Sequence, residues 1–456
     1  MITMKLADAA AAMNGQIVSA DDDMIFRGVT TDSRTIEEGM LFVPIAGARV
    51  DGHSFAGQVM EAGAAVMLWQ KDHLPVPDGV RAIVVDNTII AMGDLAKAWL
   101  KQTAPYTIGI TGSNGKTSTK DFVAALYASV AKTYKTQGNH NNEIGLPLTV
   151  FEMDNDTEVL ILEMGMENRG EIAYLCSIAP LDLAIITSIG SAHMENLGSK
   201  TNIARAKCEI TTSLKPEGAL IYNNDGPEIR QALSELDLNP NWKLIAYGKD
   251  TNYEPANLKV TRQGLSFELK ALSSKPFQIP SANTVQAFNA TGALLAAKAG
   301  GVPKSKWHQA LAHANLTPMR GDLKAWKSSV ILDDTYKSNP EAARSAISTL
   351  MEIPANVHIA VLSDMLDLGP EENELHAAIG QFADESGVDV LLTWGPLSQH
   401  TSAAFTKTKQ HFEKKEDLLA ALAAYADQNA AILVKGSRAM AMDTIVKGCL
   451  EGERYE

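Results

Sequence analysis

The segment from Thr107 to Ser118, Thr-Ile-Gly-Ile-Thr-Gly-Ser-Asn-Gly-Lys-Thr-Ser, is the feature that most limits how this chain folds. A β-type run, Tyr106–Thr111, enters a glycine-rich turn, and Lys116 and Thr117 then open a stretch with helical character that ends at Val130. A strand, a glycine turn and a helix in this order direct backbone N–H groups at an anion. Because the lysine can reach a phosphate and the threonine hydroxyl can bind Mg²⁺, the segment predicts a nucleotide-binding loop.

The spacing of the glycines differs from that of the usual phosphate-binding loop. Gly112 and Gly115 enclose two residues, whereas the usual pattern has four. The alternative is a plain glycine turn that joins a strand to a helix, but Gly-Lys-Thr after a hydrophobic strand favours a nucleotide. The residues predicted to contact the nucleotide are Gly112, Ser113, Asn114, Gly115, Lys116, Thr117 and Ser118.

The pattern of apolar runs predicts an α/β fold with three domains, a number that suits 456 residues. Residues 1–104 contain short β-type runs and one amphipathic helix candidate, Thr88–Gln102, which indicates a small α/β domain. Residues 105–317 alternate strand and helix, which is typical of a parallel sheet covered by helices. Residues 318–456 alternate again and predict a second, Rossmann-like unit.

Charge and composition exclude several classes of partner. The formal charge of −14 argues against nucleic acid or an anionic membrane as the main partner, so an anionic substrate must meet a local basic site. The three cysteines show no metal-binding or disulfide spacing. The N-terminus lacks the layout of a signal peptide, and no apolar run approaches the ~18 residues that span a bilayer. We therefore expect a cytoplasmic protein without membrane insertion.

Three polar residues follow or flank apolar runs of the central block. Glu163 ends a predicted strand, where a carboxylate would lie in the ligand-binding crevice of a parallel sheet and could hold Mg²⁺. His193 lies just after the next strand and could bind a metal or a phosphate. Lys207 lies on a predicted helix. For each, the alternative is structural: a solvated strand end, a hydrogen-bonded histidine and a surface lysine.

Two further polar segments are candidates for binding sugars, amides or a nucleoside. Residues 136–147 form a loop with three asparagines in four residues, whose amides both donate and accept hydrogen bonds. In residues 332–340 an acid could bind a ribose hydroxyl, and Tyr336 could stack on a base. Both segments also suit ordinary turns and helix starts, so these alternatives stay open here.

Together these segments resemble the Mur ligase family of ATP-dependent amide-bond ligases, over essentially the whole chain and in the family's order. The segments that carry the resemblance are 29–34, 51–55, 111–117, 139–147, 333–340 and 363–369. The resemblance implies a uridine-nucleotide-binding first domain, a central ATP-binding domain and a Rossmann-like third domain. This sequence departs from the family pattern at Val285 and Gln286, ahead of Asn289, and at Lys337, where asparagine is frequent in the family.

The resemblance also implies roles for individual residues. Lys116 would bind the phosphates of ATP, with Thr117 and Glu163 on one Mg²⁺ ion. His193 and Lys207 would serve a second Mg²⁺, Lys207 as a carbamate formed with CO₂. The remaining nucleotide contacts implied are Asn289 near the adenine, Arg320 near the phosphates, Asp334 at the ribose and Tyr336 at the base. Lys116, His193, Lys207 and Arg320 would be the catalytic residues. The implied contacts to the other substrates are Ser33, Arg34, Asp51, His53, Asn139, Asn141 and Asn142.

Within the family, the segments favour the reaction that adds D-alanyl-D-alanine to UDP-N-acetylmuramoyl-tripeptide through an acyl phosphate, in the synthesis of the peptidoglycan precursor. Both substrates are small molecules, and we expect a monomer. One alternative is the sister ligase that adds the third amino acid, although its Asp-Asn-Pro-Arg segment is absent from this sequence. Another is a nucleotide-gated binding protein without catalysis, which the presence of Glu163, His193 and Lys207 disfavours.

Overall fold

The computed structural model describes residues 1–47, 50–190, 192, 194–261 and 264–451, and within it the chain divides into two compact units. Unit 1 consists of Met1–Thr111, Ala131–Ala184 and Glu209–Gly218. Unit 2 consists of Gly112–Val130, Ile185–Cys208 and the described residues from 219 onward. Strands and helices alternate through both units, which confirms the predicted α/β class.

The N-terminal part of unit 1 is built on a five-stranded sheet in the order β2-β7-β6-β5-β4. Its strands are β1 (Thr3–Lys5), β2 (Gln16–Val18), β3 (Ile25–Arg27), β4 (Val29–Thr30), β5 (Leu41–Phe42), β6 (Val66–Gln70) and β7 (Ala82–Val85), with β1 and β3 paired apart from that sheet. Its helices are α1 (Leu6–Ala12), α2 (Ala56–Glu61) and α3 (Thr88–Thr103). Strands β4 to β7 are parallel, and Phe42, Met67 and Trp69 pack with Val59 of α2 in the core of this sheet.

The middle of the chain contributes elements to both units. Its strands are β8 (Tyr106–Thr111), β9 (Thr133–Lys135), β10 (Val159–Glu163), β11 (Leu181–Ile186), β12 (Leu214–Asn223), β13 (Lys243–Tyr247), β14 (Ala256–Thr261), β15 (Gly264–Glu268) and β16 (Phe277–Ile279). Its helices are α4 (Lys116–Ala128), α5 (Gly145–Glu152), α6 (Glu171–Ile178), α7 (Met194–Leu197), α8 (Lys200–Cys208), α9 (Pro227–Ser234), α10 (Val285–Ala299) and α11 (Lys304–Ala312). In unit 1, β10 pairs in parallel with β8 and β9. In unit 2, β12 pairs in parallel with β13, while β14, β15 and β16 form an antiparallel sheet that the sequence did not predict.

The C-terminal part of unit 2 is a six-stranded sheet in the order β17-β18-β22-β19-β20-β21. Its strands are β17 (Asp322–Trp326), β18 (Ser329–Asp334), β19 (Val357–Ser363), β20 (Val390–Trp394), β21 (Thr408–Phe412) and β22 (Ala430–Lys435). Its helices are α12 (Pro340–Glu352), α13 (Glu372–Ser386), α14 (Ser398–Ala404), α15 (Lys415–Ala423) and α16 (Asp443–Glu451). All pairs except β17–β18 are parallel.

Both faces of this C-terminal sheet are covered, as expected for a doubly wound fold. Alternate residues of β22 point to opposite faces. Ala431 and Leu433 pack with α12 and α13, while Ile432 and Val434 pack with α15 and α16. The strand is therefore a continuous apolar run, and its polar end, Lys435, lies at the carboxyl edge of the parallel strands, where ligands of such sheets bind.

Candidate active site

The predicted nucleotide-binding loop, Gly112–Ser118, lies in unit 2 and leads directly into α4. Gly115 precedes the helix with φ 83°, in the left-handed region that favours glycine. A Cβ atom at this position would overlap the side-chain amide of Asn289 on α10, so the structure brings these two predicted residues together. The Nζ atom of Lys116 donates to the carbonyl of Gly112 over 2.8 Å.

The loop is held by the segment that follows β11. The N–H of Ser113 donates to the carbonyl of Ser188 over 2.9 Å, and the Ser113 hydroxyl accepts from the N–H of Gly190 over 2.9 Å. The N–H of Asn114 donates to the Ser188 hydroxyl over 3.0 Å, and its carbonyl accepts from the hydroxyl of Thr187. These bonds hold the loop backbone open over a helix N-terminus, the arrangement that suits a bound phosphate.

Lys207 lies on α8 with its side chain fully buried, contrary to the solvated-lysine alternative. Burial lowers the pKa of its amine well below the ordinary value, and the positive charges of Lys116 and Lys337 lower it further. A lowered pKa favours the uncharged amine, which is the nucleophilic form of a lysine. His193, the predicted partner of Lys207, lies outside the described residues.

A hydrogen-bonded network joins the loop helix, α10 and Arg320. The amide nitrogen of Gln286 donates to the Ser118 hydroxyl over 3.0 Å and to the carbonyl of Arg320 over 3.4 Å, and Asn289 donates to the Gln286 side-chain oxygen over 2.9 Å. Gln286 was noted in the sequence only as a departure from the family pattern. Its place in this network could not be read from the local pattern, because its partners are far apart along the chain.

Arg320 and Tyr336 also lie together, although the resemblance assigned them to different parts of the nucleotide. The guanidinium carbon of Arg320 lies 4.0 Å from the centre of the Tyr336 ring, a cation–π contact. The Nε atom of Arg320 is buried without a hydrogen-bond acceptor among the described residues. A buried donor in this state costs free energy unless a ligand supplies the acceptor, so it is a feature that suits an anion.

Glu163, in unit 1, is buried at the end of β10, and its environment includes the predicted asparagine loop. Its N–H donates to the Thr136 hydroxyl over 3.0 Å, and one carboxylate oxygen accepts from the amide of Asn141 over 3.0 Å. The Asn142 side chain accepts from the N–H of Gly145 over 2.9 Å at the start of α5, which is a turn-stabilising contact. Asn139 is exposed, with its carbonyl bound to the N–H of Asn141.

The remaining predicted substrate contacts lie in the N-terminal part of unit 1. Ser33 and Arg34 form a turn capped by Asp32, and the Arg34 guanidinium holds the pKa of the Asp32 carboxyl at about 2. Arg34 itself is largely exposed. Its side chain is therefore available at the surface, although its charge is partly balanced by Asp32.

Asp51 and His53 belong to a cluster that the sequence did not predict, together with Asp72 and His73. The Asp51 carboxylate accepts from His53 Nδ1 over 2.8 Å and from His73 Nε2 over 2.7 Å, and His73 Nδ1 donates to Asp72 over 2.5 Å. Because both ring nitrogens of His73 face carboxylates, its pKa is raised, through hydrogen bonds to Asp51 first and Asp72 second.

The ligand atoms of Asp51, His53 and His73 lie within 4.8 Å of one another, a spacing that also suits a metal. However, the N–H of Gln70 donates to His53 Nε2 over 3.2 Å, which places the proton of a neutral His53 on Nδ1. A protonated Nδ1 cannot bind a metal. The cluster is therefore a network of hydrogen-bonded side chains that fixes the turn carrying Asp51.

Comparison with known proteins gives the same family over nearly the whole chain. Family models match in three pieces: "Mur ligase family, catalytic domain" over residues 25–100, "Mur ligase middle domain" over residues 110–299, and "Mur ligase, glutamate ligase domain" over residues 319–438. The chain is 36% identical to the UDP-N-acetylmuramoyl-tripeptide–D-alanyl-D-alanine ligase of Bacillus subtilis (strain 168), over 99% of each chain. It is 31% identical to the ligase of the same name from Escherichia coli (strain K12), again over 99% of each chain.

Solved structures agree with the sequence relatives and confirm the three-domain α/β fold. A crystal structure of MurF from Acinetobacter baumannii superposes with a TM-score of 0.90 at 26% identity and covers 99% of both chains. MurF ligase from Thermotoga maritima in complex with ADP superposes with a TM-score of 0.82 at 26% identity, over 93% of this chain and 97% of that chain. Among the helices that the structure describes, none has the length and apolar character needed to cross a bilayer.

Proposed function

The chain belongs to the Mur ligase family, and we propose that it joins D-alanyl-D-alanine to the tripeptide of UDP-N-acetylmuramoyl-tripeptide at the expense of ATP. The observation that carries this proposal is sequence similarity, at 36% and 31% identity, to ligases of that name over the full length of the chain. The nucleotide-binding loop with Lys116 supports it. The protein is accordingly an ATP-dependent ligase that forms a peptide bond, with a role in cell wall synthesis.

The nucleotide contacts that we propose lie in unit 2. Lys116 swings from the Gly112 carbonyl to the β- and γ-phosphates, and the Nε–H of Arg320 gains a phosphate oxygen as its missing acceptor. Asn289, already packed on the loop, faces the adenine side. Asp334 accepts from a ribose hydroxyl and Tyr336 lies against the base. The buried donor of Arg320 supports this assignment most directly.

The reaction proceeds in two steps that need no redox partner. A carboxylate oxygen of the tripeptide attacks the γ-phosphorus of ATP, the bond from that phosphorus to ADP breaks, and an acyl phosphate forms. The uncharged amine of the dipeptide then attacks the carbonyl carbon, giving a tetrahedral intermediate that expels inorganic phosphate. Carboxylate and phosphate repel each other, so the positive charges of Lys116 and Arg320 lower the barrier to the first step.

We propose that the side chains named for the two Mg²⁺ ions are chemically suited to them. Thr117 and Glu163 offer a hydroxyl and a carboxylate, the hard oxygen ligands that Mg²⁺ prefers, and the carboxylate is oriented by Asn141. Bound Mg²⁺ would neutralise phosphate charge during phosphoryl transfer. We further propose that Lys207 is carbamoylated, because its amine is buried and burial lowers its pKa, and that His193 acts with it.

We assign the uridine nucleotide and tripeptide to unit 1. Ser33, Arg34 and the turn with Asp51 and His53 would bind the uridine diphosphate, and Asn139, Asn141 and Asn142 would bind the sugar or peptide. The proposed domain boundaries are 1–104, 105–317 and 318–456. We also propose that the protein is a cytoplasmic monomer, as its small-molecule substrates allow.

The test is a ligation assay with ATP, Mg²⁺ and UDP-N-acetylmuramoyl-tripeptide, with and without D-alanyl-D-alanine. We expect phosphate release that requires the dipeptide and a product whose mass has grown by one condensed dipeptide. Lys116→Ala should abolish release while the protein stays folded. Phosphate release with a dipeptide precursor and a single amino acid would instead identify the sister ligase. No phosphate release in either assay would identify a binding protein.

A further inference from the structure

Lys435, the last residue of β22, is a lysine whose side chain is almost completely buried. It lies opposite Asp334, the last residue of β18, in the parallel pairing of these strands. Its Nζ atom is 2.6 Å from the Asp334 carboxylate and 2.8 Å from the carbonyl of Lys337. The local sequence does not predict this pair, because Asp334 and Lys435 are 101 residues apart.

The ammonium of Lys435 donates its hydrogen bonds to one turn, residues 334–337. Besides the two short bonds, it lies 3.5 Å from the carbonyl of Asp334, so these three partners all belong to residues 334–337. Removing a buried charge from water is costly unless it is paired and hydrogen-bonded, and both conditions hold here. The ion pair therefore fixes the direction of the Asp334 carboxylate and the path of the backbone that follows.

That backbone carries the groups assigned to the nucleoside. Tyr336 lies beneath the Arg320 guanidinium. Three residues further on, the amide of Asn339 donates to the side-chain oxygen of Asn114 in the nucleotide-binding loop over 3.1 Å, and its own oxygen caps α12 at the N–H of Ala342. The turn is thus fixed at its start by Lys435 and at its end by Asn114.

We propose that Lys435 is a positioning residue for nucleotide recognition: it orients Asp334 and the turn bearing Tyr336 so that the ribose of ATP is selected. This inference rests on the proposed function and on the role of Asp334 in it. Lys435 does not touch the nucleotide itself. Its removal should weaken binding of the nucleoside while leaving the phosphate groups and the chemical step largely in place.

The chain offers a matched control on the neighbouring residue. Asp333 is also buried and is paired with Lys324 at 2.8 Å on the β17–β18 hairpin, and its carboxylate accepts from the Thr335 hydroxyl. Lys324→Met therefore also removes the cation from a buried aspartate of β18. Because the Lys324 side chain is 33% exposed and that of Lys435 is 2% exposed, the ribose preference, and not stability, is the property to compare between the two variants.

The experiment compares wild type, Lys435→Met, Lys324→Met and Asp334→Asn in the ligation assay with ATP and with its 2′-deoxy and 3′-deoxy analogues. We expect wild type to prefer ATP over at least one analogue by about tenfold or more in kcat/KM, as for a hydrogen bond to a charged group. Lys435→Met should raise the KM for ATP by about tenfold, change kcat little and lose most of this preference, and we expect Asp334→Asn to lose the preference too. Lys324→Met should keep the preference.

Each outcome separates one claim from the next. If wild type does not ligate, the proposed function fails. If wild type ligates without any ribose preference, or if folded Lys435→Met keeps the wild-type preference, the inference about Lys435 is overturned. Should Lys435→Met not fold, Lys435→Gln replaces it: this side chain is shorter and uncharged, and it cannot reach both Asp334 and the Lys337 carbonyl. An unchanged preference in folded Lys435→Gln overturns the inference as well.

Discussion

At the scale of single residues, the buried Nε–H of Arg320 is the group most suited to binding an anion. Its guanidinium stacks on Tyr336, and its buried Nε–H has no partner among the described residues. Lysine has no Nε–H and no planar group to stack, so Arg320→Lys keeps the charge but removes both features. We expect kcat/KM for ATP to fall by about tenfold to a hundredfold.

The control for this prediction is Arg344, whose guanidinium lies over the ring of Phe382 at 4.8 Å in the same unit. Arg344→Lys removes a cation–π contact without touching the nucleotide-binding residues. Steady-state kinetics on both variants gives the comparison. Equal kinetics for Arg320→Lys and wild type would show that Arg320 has no phosphate role.

The histidine cluster of unit 1 predicts a pH-dependent contribution to stability. The folded pKa of His73 is raised above its ordinary value of 6.5 by Asp51 and Asp72. The stabilisation is therefore fully present below about pH 6.5 and is lost as the pH rises through the folded pKa. The cost of His73→Gln in free energy of unfolding should be largest near pH 6 and should shrink toward pH 9, as urea denaturation would measure.

The groups that face His73 are the carboxylates of Asp51 and Asp72 and the stacked ring of His53, whose centre lies 4.0 Å away. His313 is an exposed histidine whose ring bonds to a backbone carbonyl, so His313→Gln serves as the control without a carboxylate partner. If His73→Gln lowers the free energy of unfolding by the same amount over this pH range, the claim that Asp51 and Asp72 stabilise protonated His73 is contradicted.

At the scale of elements, two helices begin at a glycine in the same left-handed conformation. Gly115 precedes α4 with φ 83°, and Gly170 precedes α6 with φ 92°. A Cβ at Gly115 would overlap Asn289, whereas one at Gly170 meets nothing within 4 Å. Both alanine variants should lose about 1–2 kcal/mol of stability through backbone strain. Gly115→Ala should also weaken ATP binding.

Isothermal titration with ATP and Mg²⁺, alongside thermal unfolding, separates these two effects. Gly170→Ala should bind ATP as wild type does, because its strain is confined to the start of α6. Gly115→Ala with wild-type affinity would mean that the loop tolerates displacement of Asn289, and the assignment of Asn289 to the nucleotide site would then lose its structural support.

The elements predicted best were those whose apolar run ends at a clear polar residue or turn. The predicted strand Tyr106–Thr111 matches β8 to the residue, and Glu163 ends β10 as predicted. Helix boundaries were harder to predict: α16 begins at Asp443 and no earlier, because Ala441 has a left-handed φ of 46° that interrupts an α-helix. The antiparallel strands β14 to β16 were missed, although β14 alternates apolar and polar residues: Leu258 and Val260 are half-buried, while Asn257, Lys259 and Thr261 are exposed.

The same distinction holds for the candidate site. Lys116 and its glycines were predictable because phosphate binding needs a local pattern of residues. The partners that support the site, Gln286, Lys435 and His73, were not, because each contact depends on chain segments brought together only by folding. Local periodicity carries no information about such pairs.

At the scale of the whole molecule, a protein of formal charge −14 must bind anionic substrates through local fields. Unit 2 meets this need with several cations: the charges of Lys116 and Lys337 both act on buried Lys207, and the buried Nε–H of Arg320 has no acceptor within the described part of the chain. The local residue pattern predicted the loop and its lysine, and full-length relatives confirm the family.

The central claim, ligation of D-alanyl-D-alanine through an acyl phosphate, is tested most directly by following an oxygen atom. UDP-N-acetylmuramoyl-tripeptide with ¹⁸O in its terminal carboxylate is incubated with the protein, ATP, Mg²⁺ and the dipeptide, and the inorganic phosphate is analysed by mass spectrometry. Attack of the carboxylate on ATP predicts one ¹⁸O atom in each phosphate released, together with the ligated product. Ligated product with unlabelled phosphate would contradict the acyl-phosphate route.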